Sequence, residues 1–375
     1  PADGPRAGGV GAGASATTGL VEALEILRGR LAATRLPLDL PGAALAREDL
    51  GLAVHQLDDY LLPRLRSHAA PLLVVVGGST GAGKSTLVNS LLGEHVSAPG
   101  VLRPTTRAPV LVHHPLDERW FSTDRVLPGL ARVSEHGARP AAPGTPTGTA
   151  TGPGSGTRPG EPATPPDPTR TLRLVASDAL PQGLALVDAP DVDSVETANR
   201  ELAAQLLAAA DLWLFVTTAS RYGDALPWQA LSGAKERGAS VAMVLNRVPR
   251  ETLTTIRGDL LQRLRDHGMD GVPLFVVPDV GPHEGLLDRS VVAPVARWLT
   301  MLAGPDRSRA VIVRTLKGSL AALPDWVTGV SDAVEEQVEA AADLRSAVER
   351  ALPPVQETVR RTALDPDNWP QEPGL

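Results

Sequence analysis

The chain contains no cysteine. That absence excludes a disulfide framework, a thiolate zinc site and a thiol nucleophile, and it is compatible with a reducing compartment. Aromatic residues are scarce at 3%. In an acidic chain Trp213, Trp228, Trp298 and Trp326 read as packing residues, not as a base-stacking platform. Positive charge is also in deficit: a net charge of -7 and a pI near 5.7 argue against a broadly basic nucleic-acid binder. Lysine is the scarcest basic residue, with only three in the chain, and arginine supplies the rest of the 36 basic side chains. No hydrophobic run approaches the about 20 residues that cross a bilayer. The opening PADGPRAGGVGAGA lacks the basic and apolar regions of a signal peptide. The expectation is a cytoplasmic protein. The sequence starts without Met and ends in the polar stretch PDNWPQEPGL, as a part of a longer protein would.

What is present divides the 375 residues into two or three structural units. Residues 1–17 are Gly- and Ala-rich, and a disordered tail is expected there. In 18–70, Leu20, Leu24, Leu27 and Leu31, and then Leu50, Val54, Leu57 and Leu61, recur at helical spacing, which predicts two amphipathic helices separated by a Pro-containing break. From 71 to 305 short apolar runs (LLVVV, PVLVH, TLRLVA, LALVD, LWLFV, VAMVL, LFVV) alternate with helical stretches near 84–92, 194–209, 224–237, 251–267 and 285–302. Parallel strands need long crossovers, so this alternation predicts an α/β unit with a mostly parallel sheet covered by helices. Within it, 137–170 carries nine Pro and seven Gly and almost no large apolar side chain. Ordering it would cost entropy without burying a core, so it reads as a disordered insertion. Helical pattern returns in 306–366. There Val334, Val338, Ala341, Leu344, Val348 and Leu352 form an apolar face, and Asp332, Glu335, Glu336 and Glu339 a solvated one. Residues 367–375 read as a tail, and there is no internal repeat or sustained heptad array.

The chemistry-bearing stretch is LLVVVGGSTGAGKST. Gly78-Ser79-Thr80-Gly81-Ala82-Gly83-Lys84-Ser85 satisfies GxxxxGK[ST] between an apolar strand and a helix. Glycines let the backbone fold around phosphate oxygens, successive N–H groups point inward, and the helix adds its positive end. Lys84 would reach the terminal phosphates and Ser85 would coordinate Mg2+. The use of Lys here, in a chain that otherwise favours Arg, suits a site that needs a compact ammonium. LALVDAPD places Asp188 at a strand end, where a carboxylate can hold the metal directly or through water. The next residue is Ala189, not the catalytic Glu usual in ABC- or RecA-type ATPases, and no LSGGQ-like stretch occurs. In LRPTTRAPVLVHHP, Thr105 or Thr106 could bring a hydroxyl to the metal and a backbone contact to a terminal phosphate. His113 and His114 follow a strand without metal-ligand spacing, and an ordinary strand-end role is expected of them.

The order GGSTGAGKST, RPTTRAP, LALVDAPD, LNRV resembles the motifs of the GTPase superfamily, and in its details a bacterial dynamin-like GTPase. Thr106-Arg107-Ala108-Pro109 matches the Thr-Arg-x-Pro of that family's first switch, and TLRLVASDALPQGLALVDAP runs one strand through a short turn into another before the DxxG position. The resemblance spans residues 71 to 280. It implies a P-loop GTPase domain whose flanking helices form a bundle, with GTP as substrate and Mg2+ as cofactor. It gives catalytic roles to Lys84, Ser85, Thr106 and Asp188, with Ser85, Thr106 and Asp188 on the metal. Gly78, Ser79, Thr80, Gly81, Ala82, Gly83, Lys84, Ser85, Thr86, Asn246 and Arg247 would hold the nucleotide. It further implies helical-domain motion or self-association, peripheral contact with the inner face of the cell membrane, and no nucleic-acid partner.

Four positions depart from the family pattern. Thr80 stands where dynamins commonly carry a water-positioning Gln. Asp191 replaces the DxxG glycine, and its carboxylate is expected to point away from a terminal phosphate. Asn246-Arg247-Val248-Pro249 keeps the base-contacting Asn but lacks the Asp that pairs with the guanine edge. VVPDV offers Asp279 as a weak substitute, more naturally a turn aspartate. These departures keep two other readings open: a nucleotide-binding switch or scaffold with little turnover, and a ribosome-assembly-type GTPase.

Overall fold

A computed structural model describes residues 9–67, 69–97, 108–134, 170–236, 238–281 and 285–364. Eight strands form one sheet: β1 (Leu72–Gly78), β2 (Val110–His113), β3 (Ala131–Ser134), β4 (Thr171–Ala176), β5 (Leu184–Asp188), β6 (Leu212–Thr218), β7 (Ser240–Val248) and β8 (Leu274–Pro278). Their order is β3-β4-β2-β5-β1-β6-β7-β8. Neighbours from β5 to β8 are parallel. The one antiparallel pairing joins β2 to β5, after which β4 and β3 follow β2 in parallel. The sheet is therefore mostly parallel, as the strand-helix alternation predicts. β3 is the strand that the apolar pattern does not announce: ARVS is a short edge segment in which Val133 stays 41% exposed.

β1 is central and buried along its whole length. Because side chains alternate across a strand, Leu73 and Val75 enter one layer and Leu72, Val74 and Val76 the other. The first layer is closed by α6 (Thr197–Ala208), α7 (Ala225–Glu236) and α8 (Leu253–Asp266) through Leu206, Leu231 and Leu260. The second is closed by α4 (Lys84–Leu92), α9 (Arg289–Leu302) and the start of α10 (Pro305–Leu364) through Leu87, Val295 and Ile312. A short helix, α5 (Glu118–Phe121), follows β2. Each large aliphatic side chain buried this way contributes about 1.5–3 kcal/mol.

A third core is purely helical. It joins α1 (Gly9–Ala33), α2 (Ala43–His55), a π-helical turn over Gln56–Leu61, α3 (Leu62–Arg66) and the middle of α10. Leu24 and Leu31 meet Leu57, Tyr60, Leu61 and Leu65 there, with Leu323 and Val330 of α10 opposite. The two predicted N-terminal helices and the returning C-terminal helix are thus one bundle against the sheet domain. Gln337 fastens the break between α1 and α2 to α10: its side chain accepts from Leu38 N–H and donates to Leu38 C=O, both at 2.8 Å.

Two differences from the sequence reading stand out. Helix α1 begins at Gly9, inside the stretch for which a tail is expected, since its alanines suit a helix. The apolar face of α10 forms, but Val338, Leu344, Val348 and Leu352 are exposed, with nothing among the described residues covering them. The 137–170 stretch, except Arg170, and residues 367–375 lie outside the described residues.

Candidate phosphate-binding site

β1 delivers the loop to the C-terminal edge of the sheet, and α4 starts at Lys84. The residue that caps α4 is Gly83, with φ 90°, a backbone conformation that favours glycine. A Cβ at Gly83 would also lie 2.5 Å from the side-chain nitrogen of Asn246, so a larger residue has no room. Lys84 is 5% exposed. Its ammonium donates to the carbonyls of Gly78 at 3.0 Å and Ser79 at 3.1 Å, and to the carboxylate of Asp191. The loop thus curls around the ammonium of its own lysine.

Asp188 ends β5 in register with Val76. It is 7% exposed, and one carboxylate oxygen accepts from the Ser97 hydroxyl. The other oxygen, Oδ1, is buried without a partner in hydrogen-bonding geometry among the described residues. Burial pushes this carboxyl above the ordinary Asp value; the hydroxyls of Ser85 and Ser97 and the charge of Lys84 pull it down, and Asp191 adds to the rise. A buried orphan carboxylate oxygen near a serine hydroxyl fits a small hard cation that takes oxygen ligands. Among the described residues no three His, Cys, Asp or Glu converge on a metal-sized site. That donor set suits Mg2+, which keeps water and phosphate ligands and does not need an all-protein cage.

Asn246, at the end of β7, donates to the carbonyl of Ala82 at 2.8 Å and accepts from Arg247 N–H at 2.9 Å. The backbone turns there: Arg247 has φ 54°, is exposed, and falls within a register shift between Leu245 and Val248. Asn246 is therefore tied to the phosphate loop, and Arg247 stands at the surface beside it. Asp279 accepts from Gly281 N–H at 3.0 Å, a turn contact. Thr105 and Thr106 lie outside the described residues.

Three residues at the loop escaped the sequence reading. Asp193 accepts from the N–H of Thr80 at 2.6 Å and its hydroxyl at 2.7 Å. Arg221, after β6, donates to the carbonyl of Thr80 at 2.8 Å and to Asp193 at 2.9 Å. Burial would raise the Asp193 carboxyl, but the Thr80 hydroxyl and N–H together with Arg221 hold it below the usual range. The third is Ser97, positioned by Asn89 of α4, whose side chain accepts from the N–H groups of Val96 and Ser97 and donates to Ser97 C=O at 2.6 Å. The only sequence signal for Asp193 was the run of acids in DAPDVD. The carboxylate of Asp191 accepts from the Lys84 ammonium, and the N–H of Val192 bonds Gly78 C=O and holds this segment against the loop.

The other conspicuous residues behave as packing groups. His113 is buried and stacks on Phe121, and His114 accepts from Leu116 N–H. Trp213 and Trp228 are buried and donate to backbone carbonyls.

A central parallel sheet, a glycine-rich loop that opens a helix at Lys84 and an acidic residue at the neighbouring strand end define the class of P-loop nucleotide-binding domains. Residues 74–248, somewhat under half of the chain, match the profile described as "Dynamin family". This segment is similar to that family, and its fold is that of a P-loop nucleotide-binding domain. A search of curated proteins finds no match. Among solved structures, a chain from an oligomerised bacterial dynamin pair described as sensing and tethering membranes is 13% identical, with a TM-score of 0.41 over 86% of this chain and 50% of that one. Era from Aquifex aeolicus bound to GDP.AlF4- is 15% identical, with a TM-score of 0.34 over 60% and 56%. Toc33 from Arabidopsis thaliana, in complex with Mg2+ and GMPPNP, is 15% identical, with a TM-score of 0.36 over 69% and 94%. The chain therefore spans about half the length of the bacterial dynamin chain it is similar to. At these TM-scores the likenesses decide nothing about activity. Among the described residues no helix is long and apolar enough to cross a membrane.

Proposed function

We propose that this chain binds GTP with Mg2+ at the loop from Gly78 to Thr86 and hydrolyses its terminal phosphate anhydride, with water as acceptor. The observation that carries this reading is the juxtaposition of Lys84, Ser85 and the orphan oxygen of Asp188 at the ends of β1 and β5. In this reading Lys84 stabilises charge on the transferring phosphoryl group. Ser85 and Asp188, with Thr106, would hold Mg2+, which would supply positive charge against the phosphates when bound. Asn246 orients the loop toward the base, and Arg247 covers the base from the surface. The nucleotide cycle would act on the bundle of α1, α2, α3 and α10, driving its motion or self-association, with peripheral membrane contact as the setting. The domain limits implied are 18–70 and 306–366 for the helical part and 71–305 for the nucleotide-binding part.

A second reading, a nucleotide-binding switch with little turnover, is favoured by one observation. Thr80, at the position where dynamins carry a water-positioning Gln, is engaged by Asp193 and Arg221 and has no free hydroxyl proton to direct a water. A single-turnover assay with protein in excess over GTP, with and without liposomes, separates the two. Product that forms in wild type and not in Lys84→Ala supports hydrolysis. Tight binding without product in either supports the switch.

A further inference from the structure

We infer that Asp191 is a built-in competitor for Lys84, a carboxylate that an incoming phosphate must displace, and that it weakens nucleotide binding in this chain; the inference rests on the nucleotide-binding reading above. An ammonium has three N–H donors. In Lys84 they are taken by Gly78 C=O, Ser79 C=O and Asp191. A phosphate oxygen can reach this ammonium only by replacing one of the three. The two carbonyls belong to the loop backbone and cannot leave without unfolding it. Asp191 is the displaceable partner: its side chain is 34% exposed and can swing toward solvent, whereas Lys84 is buried.

The competitor is anchored but not locked. Ala189 N–H bonds Val76 C=O at 3.2 Å and Val192 N–H bonds Gly78 C=O at 3.3 Å, so the backbone on both sides of Asp191 is fixed to the end of β1. That anchoring aims the carboxylate at Lys84 and would return it there after ligand leaves. Two residues on, Asp193 binds the N–H and hydroxyl of Thr80, so the same segment grips the loop at a second point. Asp193 is itself held by Arg221, while Lys84 is the single ion-pair partner of Asp191 among the described residues. The two acids therefore divide the work: Asp193 fixes the segment, and Asp191 occupies the cation. Since like charges at one ammonium repel, a phosphate and the Asp191 carboxylate exclude each other from this position.

The test is a pair of measurements on the full chain, in wild type, Asp191→Asn and Asp191→Ala. Binding is read by calorimetric titration with a non-hydrolysable GTP analogue and Mg2+, and stability by thermal melting without nucleotide. A competitor has opposite signs in the two. Removing it should tighten binding about tenfold and lower the melting temperature, because Lys84 loses its charge partner. A merely structural Asp191 would weaken both, and a bystander would change neither; either result overturns the inference. Binding by the two variants with none by wild type would support it in its strongest form. If wild type and both variants all fail to bind, the nucleotide-binding reading itself falls. If all bind equally, that reading survives and the competitor does not.

Discussion

The guanidinium of Arg64, at the end of the helical bundle, is ion-paired with the fully buried carboxylate of Asp211 at the entry to β6. Arg64 also donates to the carbonyls of Ala70 and Pro71, and Asp211 accepts from Leu73 N–H at 2.7 Å. Thr315 of α10 donates to the backbone carbonyl of Asp211 at 2.8 Å. One buried cluster thus joins α3, the starts of β1 and β6, and α10. Any motion passed between the nucleotide-binding domain and the bundle must keep this junction or break it.

Replacing Arg64 with Met should therefore be costly, about 3–5 kcal/mol at neutral pH, because a buried charge is left unpaired. Burial already pushes the Asp211 carboxyl up, with the Arg64 charge as the main opposition. In the variant the carboxyl should bind a proton more readily than in the unfolded chain. Its stability should then fall as pH rises through that higher folded-state value, and recover toward acid. Urea unfolding across pH checks both the size and the sign.

Gly318 of α10 and Gly238, which precedes β7, pack backbone to backbone. A Cβ on Gly318 would lie 2.7 Å from the Cα of Gly238. Gly to Ala within a helix ordinarily stabilises by about 1 kcal/mol. Here Gly318→Ala should destabilise, because α10 must lift off the sheet domain to make room. Gly329→Ala, where nothing lies within 4 Å, is the control expected to keep the ordinary sign. Thermal melting of the two variants reads the contrast.

How much of this was legible in the sequence follows the range of each interaction. The Gly78–Ser85 loop, seven of the eight strands and the helices between them are written in local spacing, which a reader of residues can see. The antiparallel placement of β2 is not, since it depends on which edge of β5 remains open. Nor is the Arg64–Asp211 pair, whose members are 147 residues apart. The contacts of Asp191 and Asp193 with the loop were hidden for the same reason: acids at a strand end look alike until the fold brings a lysine and a threonine to them. The π-helical turn over Gln56–Leu61 reads in sequence as ordinary helix, because its wider i→i+5 backbone bonding leaves no mark in local residue spacing.

His55 lies 3.4 Å from the buried carboxylate of Asp59. Its pKa is raised, chiefly by the hydrogen bond to Asp59, with burial opposing and the charges of Asp59 and Asp58 assisting. The stability this pair contributes should be fully present below about pH 6.5, the unfolded imidazole value. It should be lost as pH rises through the higher folded-state value. With His55 53% exposed, screening limits the contribution to below about 1 kcal/mol. Comparing wild type and His55→Ala in urea at pH 5.5 and 8.5 should show a difference at the lower pH that shrinks at the higher.

The most direct measurement is calorimetric titration of wild type and Lys84→Ala with non-hydrolysable GTP and ATP analogues, each with Mg2+. A P-loop that works as one predicts saturable binding by wild type and loss of tight binding when the Lys84 ammonium is removed; preference for the guanine analogue is the added outcome expected of the GTP reading, since the loop itself reads phosphate and not base. Unchanged affinity in Lys84→Ala would contradict it, since the residue around which the whole loop is folded would then contribute nothing to holding phosphate.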